Sequence, residues 1–156
     1  MKFADFADGF RLELANREFA RSAMTLLAAR AGGCDSGPFW VGYAKLEEFN
    51  APRYRAAARR MKISFEPDWR TRTRGWLVGH TPMPLLHELL RIAYPRTVEY
   101  AEDIRRLKDA GPPREAAFLD YMIRQEDLQV RMMHAALIGT ASEVTALVDE
   151  FIASER

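Results

Sequence analysis

Five residues of this chain combine types and spacings that can do chemistry. Glu47 and Asn50 lie three positions apart in the stretch YAKLEEFNAPRY. Glu126 and Gln129 repeat that spacing, and Glu13 stands apart from both pairs. Three positions is about one turn of a helix, so each pair shares a face. Carboxylates projecting from separate helices can bridge a metal ion and support oxidising or Lewis-acid chemistry. A helix built for that purpose carries Glu and His at i and i+3. Here an amide takes the second position of each pair, and an amide is a poorer iron ligand than neutral imidazole. The same residues can instead form a metal-free polar core. Glu13 and Arg17 have the i, i+4 spacing of a direct ion pair. Asn50 and Gln129 can hydrogen-bond the carboxylates, and Tyr43, Tyr54, Tyr100 and Tyr121 can donate hydroxyls to the same network.

Other candidates are weaker. The segment DWRTRTRGW places Arg70, Arg72 and Arg74 between Trp69 and Trp76. Guanidinium groups in an aromatic frame suit a carboxylate or phosphate, although alternating Arg and Thr also suits a solvated loop. His80, His87 and His134 have no second histidine at ligand spacing, and neither a phosphate loop nor a nucleophile–base pair is present. Cys34, in AGGCDSGP, has no neighbour that would activate it. A small-molecule pocket lined by Trp40, Tyr43, Tyr54, Met122 and Met133 is a further reading, with Asn50, Tyr100 and Gln129 as polar contributors. No residue stands out as catalytic.

The elements that must position these residues are helices. Phe6, Phe10, Glu13, Arg17, Ala20, Met24 and Leu27 form one stripe of a helix expected over about Phe3 to Ala31 and ended by Gly32-Gly33. A second helix opens after Ser36-Gly37-Pro38 and runs to the RAAARR segment, with Pro52 expected to kink or divide it. Residues 63–81 break the pattern and predict a long crossover loop with at most a short extended piece. A third helix is expected from near Pro82 to about Ala110, kinked at Pro95, on the stripe Leu86, Leu90, Ala93, Thr97, Tyr100, Ile104 and Leu107. A fourth follows from about Arg114 to Ile138. Thr140 and Glu143 have capping-box spacing for a short fifth helix to about Ala153. The fold class predicted is all-α: an up-down four-helix bundle with a long crossover between helices two and three and an additional C-terminal helix, forming one domain over 1–156.

This helix order, with glutamates on helices one, two and four, resembles the ferritin-like superfamily of carboxylate-bridged di-iron proteins. The resemblance covers most of residues 3–138. It implies a ligand set drawn from Glu13, Glu47 with Asn50, Glu99, and Glu126 with Gln129. Asn50 and Gln129 replace the histidines of the family motif, and Glu99 would turn inward only through a reorientation at Pro95.

Formal net charge is +1, which gives no global electrostatic case for nucleic acid or an anionic membrane. A single cysteine and the lack of a long apolar run predict a cytoplasmic protein. The reading adopted is a metal-independent binding or interaction module without a cofactor, able to pair with a second copy and taking an unidentified protein or small molecule. The alternative is a di-metal carboxylate oxidoreductase of the ferritin-like or haem-oxygenase-like helical class, holding iron or manganese on Glu13, Glu47 and Glu126.

Overall fold

The computed structural model describes residues 5–31 and 33–156. Among the described residues it contains six α-helices and no strand. These are α1 (Phe6–Ala31), α2 (Gly37–Met61), α3 (Trp69–Gly79), α4 (Leu86–Asp109), α5 (Ala116–Leu137) and α6 (Val144–Ser154). Short 3₁₀ turns at Met83–Leu85, Pro113–Glu115 and Ala141–Glu143 lead into α4, α5 and α6. The expected start of the first helix at Phe3, and Gly32 of its expected terminator, lie outside the described residues. None of the described helices is long and apolar enough to cross a membrane.

α1 packs against α2 and α3, α4 packs against α5, and α6 rests on α2 and α5. The core is layered along the helices. One apolar cluster holds Phe10, Leu14, Tyr54, Ile104, Leu107, Phe118 and Met122. The other holds Met24, Leu27, Trp40, Leu46, Leu86, Leu90, Leu128 and Met132. On α1, α2 and α5 the residues between these clusters are polar and buried: Glu13 and Arg17, Glu47 and Asn50, and Gln125, Glu126 and Gln129.

Two expectations need correction, and one of the alternatives at Pro52 is removed. Residues 63–81 are not a crossover loop, because α3 occupies Trp69–Gly79. Asp68 caps it, its side chain accepting from the Thr71 N–H at 2.7 Å, which satisfies a donor with no helical partner. α3 meets α1 through glycines rather than large apolar residues. A Cβ on Gly75 would sit 3.0 Å from Ser22, and one on Gly79 would sit 2.6 Å from Leu26 Cδ1. That close approach leaves Trp69, Trp76 and Leu77 more than half exposed.

Of the two outcomes expected at Pro52, division does not occur, and α4 runs unbroken through Pro95. Each proline removes one backbone donor, and the turns on both sides of it are anchored in the two apolar clusters. The Thr140 capping box does not form. Thr140 Oγ1 and its N–H instead bond Ala135 O, at 3.3 and 2.8 Å, and Gly139 takes a left-handed φ of 86°. That geometry closes α5 rather than opening α6.

Candidate functional site

The polar middle layer converges on one guanidinium. Arg17, on α1, lies 3.1 Å from Glu13 Oε1 through Nε. Its Nη1 donates to Glu47 Oε1 at 2.9 Å and to Gln125 Oε1 at 3.1 Å. Its Nη2 donates to Glu126 Oε2 at 3.4 Å and to Gln129 Oε1 at 3.5 Å. A planar group with five N–H donors can serve more acceptors at once than an ammonium, which has three. Helical spacing makes the convergence possible. Glu13 and Arg17 are i, i+4 on α1, while Gln125 and Gln129 are i, i+4 on α5 with Glu126 beside them.

An outer ring of hydrogen bonds fixes these groups. Gln129 Nε2 donates to Glu47 Oε1 at 2.9 Å and to Gln125 Oε1 at 3.1 Å. Gln125 Nε2 donates to Glu126 Oε2 at 3.0 Å, and Asn50 Nδ2 donates to Gln125 Oε1 at 3.0 Å. The Tyr43 hydroxyl donates to Gln129 Oε1 at 3.0 Å. Tyr100 donates to Glu13 Oε2, and Tyr121 donates to Asn50 Oδ1. Among the described residues, the buried polar side-chain atoms left without a hydrogen bond are Glu13 Oε1, Arg17 Nε and the Tyr54 hydroxyl. The first two face each other as an ion pair whose N–H is not aligned with the oxygen.

Three carboxylates around one guanidinium would leave an excess of two negative charges if all were ionised. Burial therefore pushes Glu47 up to about 7, with Arg17 opposing the shift and Glu13 adding to it. Burial likewise pushes Glu126 up to about 7, against Arg17 and with Glu13 and Glu47. The pair shares the load, and the core holds a proton near neutrality. Burial works against the charge on Arg17, but the three carboxylates outweigh it and keep the group cationic. Burial also raises the Tyr43, Tyr54 and Tyr100 hydroxyls, so they stay neutral.

The other candidates are dispersed. Trp40 belongs to the apolar core, its Nε1 donating to Ser36 Oγ at 3.0 Å. Met122 and Met133 are buried in different clusters. Tyr43, Tyr100 and Gln129 line a cleft of about 400 Å³ between α1, α3 and α4. Tyr54 lines a separate one of about 300 Å³, beside Glu47, Phe65 and Pro67. Arg70, Arg72 and Arg74 do not form one cluster. Arg70 lies over Trp69, Arg72 lines a shallow groove with Arg21 and Trp76, and Arg74 lies over Phe19 at the cleft. Glu99 is exposed and takes no part in the network. Cys34 Sγ donates to Ala31 O at 2.9 Å. His80 Nδ1 sits 2.7 Å from Trp76 O. Sequence reasoning paired Arg17 with Glu13 but missed its reach to α2 and α5. The available signal was a guanidinium on the apolar stripe of a helix whose neighbours carry inward carboxylates.

The fit to a di-metal centre is poor on the chemistry of these donors. The space between Glu13, Glu47 and Glu126 is filled by the Arg17 side chain; Glu47 Oε1 and Glu126 Oε2 accept its N–H groups, and Glu13 Oε1 faces it as an ion pair. Among the described residues no group of three His, Cys, Asp or Glu side chains is arranged to hold a metal ion. No protein-family model, curated protein or solved structure matches the chain.

Proposed function

We propose that this chain is a metal-independent binding module with a ferritin-like bundle. α1, α2, α4 and α5 form its up-down frame, α3 is carried in the crossover, and α6 is added at the end. The observation behind the reading is the Arg17 guanidinium, which spans three carboxylates from three helices. A fixed internal cation there supplies the charge that a metal would otherwise bring. It also removes the open coordination position that metal-assisted chemistry requires. Its role is to hold three helices in register at the level of the cleft, so that the cleft floor is preformed before a ligand arrives. The single cysteine and balanced charge fit a cytoplasmic setting.

The test is elemental mass spectrometry on protein purified without a chelating tag, followed by iron and manganese add-back with thermal unfolding as readout. The reading predicts no stoichiometric metal and no shift in Tm, since a ligand that binds only the folded state must raise it. One or two metals per chain, lost on Glu47→Gln and Glu126→Gln, would restore the oxidoreductase reading with Arg17 displaced.

A further inference from the structure

The cleft between α1, α3 and α4 has the make-up of a ligand site. α1 and α4 meet over only a short contact, and the space between them is floored by Arg17, Glu126 and Gln129 and flanked by α3. Its volume of about 400 Å³ falls within the range typical of small-molecule sites. One stripe of α4 lines it at helical spacing: Leu89, Ile92, Ala93, Arg96, Thr97 and Tyr100. Ile92 is 57% exposed there, so an apolar wall faces open space. α3 adds Arg74 and Val78, and α1 adds Phe19 and Ala20.

The charges on the rim distinguish this cleft. On α4, Arg91, Arg105, Arg106 and Lys108 each have a carboxylate partner. Arg96 has none among the described residues, and neither does Arg74, which rests on the Phe19 ring at 5.3 Å. Both line the same cleft. Two guanidinium groups at the mouth of an apolar slot match a ligand with an anionic end and an apolar body. In the floor Glu126 is paired with the Arg17 guanidinium, so the two rim arginines are the charges left to hold one carboxylate.

We propose that this cleft binds a small organic monocarboxylate, its carboxylate held by Arg74 and Arg96 and its apolar body lying against Phe19, Leu89 and Ile92. The proposal rests on the binding-module reading and names its ligand class. The side chains on the wall are in place, and the arginines on the rim are exposed and free to close on the anion.

Isothermal titration of the full chain with octanoate and with 3-phenylpropanoate tests it, in chelator-treated protein and again after iron and manganese add-back. At least one acid binds the chelator-treated protein, and octanamide binds roughly tenfold or more weakly than octanoate. Arg74→Gln with Arg96→Gln abolishes or weakens binding by roughly tenfold or more, and Ile92→Asp does the same. Arg70→Gln with Arg72→Gln removes equal charge from α3 outside the cleft and leaves affinity unchanged. Absence of binding in both preparations, or binding unaffected by the Arg74 and Arg96 changes, overturns the assignment and leaves the metal-free core intact. Binding that requires added metal overturns it as well, and refutes the metal-independent reading too.

Discussion

Replacing Arg17 by Met tests the charge balance of the core most sharply. Methionine keeps much of the volume and removes the cation, so the change isolates electrostatics from cavity formation. At an effective dielectric near 20, each carboxylate about 4 Å from the guanidinium charge attracts it by about 4 kcal/mol. Desolvation of the arginine offsets several kcal/mol of the summed attraction, and removing one partner of a buried ion pair costs about 3–5 kcal/mol net. The loss here belongs at the upper end of that range at about pH 7.5, because three carboxylates lose their counter-ion together. Protonation is the escape. Each proton that the folded variant retains and the unfolded chain does not changes stability by about 1.4 kcal/mol per pH unit. One extra retained proton between about pH 7.5 and about pH 6.0 therefore recovers about 2 kcal/mol. Urea unfolding followed by circular dichroism should show a cost of about 4–5 kcal/mol at the higher pH, falling to about 2–3 kcal/mol at the lower. A cost below about 1 kcal/mol at pH 7.5, or one that does not change with pH, would refute the account of Arg17 as the core's counter-ion.

Glu47 and Glu126, both raised to about 7 by burial, make the wild-type protein lose stability as pH rises from about 4.5 through about 7. Their protonated forms are favoured by the fold, so this contribution is fully present below the unfolded value. Glu47→Gln keeps the acceptor used by Arg17 and Gln129 and should flatten that slope, removing up to about 3 kcal/mol of the fall; a parallel pH–stability profile would argue against the shift. Tyr54→Phe deletes a buried hydroxyl that lies beside the Glu13 carboxylate without an aligned hydrogen bond and should change stability by less than about 1 kcal/mol in chemical denaturation. Tyr121→Phe strands Asn50 Oδ1 and should cost about 1–3 kcal/mol, so equal effects of the two changes would discredit the hydrogen-bond assignment. Gly79→Ala places a methyl 2.6 Å from Leu26 Cδ1 and should cost about 1–3 kcal/mol by prising α3 from α1, read by thermal unfolding.

Helix placement was legible where burial leaves an apolar stripe. Phe10, Met24 and Leu27 mark α1, and Leu90, Ile104 and Leu107 mark α4. The polar layer was legible for the same reason, since Glu13, Glu47 and Glu126 interrupt stripes that are otherwise apolar. α3 was not, because its packing face is Gly75 and Gly79, and glycine carries no hydrophobic period. The alternating Arg and Thr residues that suggested an extended piece splay around a helix instead, with neighbours two apart separated by about 200°. The cleft was beyond reach as well. Arg74 and Arg96 belong to it only through the way α3 and α4 flank α1, and no local spacing records that approach.

The most direct measurement is side-chain nuclear magnetic resonance of isotopically labelled Arg17, titrated with manganese(II). The account predicts resolved, slowly exchanging Nη–H signals from a guanidinium locked between Glu13, Glu47 and Glu126, with no paramagnetic broadening at stoichiometric metal. Averaged Nη–H signals, or broadening that Glu47→Gln and Glu126→Gln abolish, would show a mobile arginine beside a metal site and would contradict it.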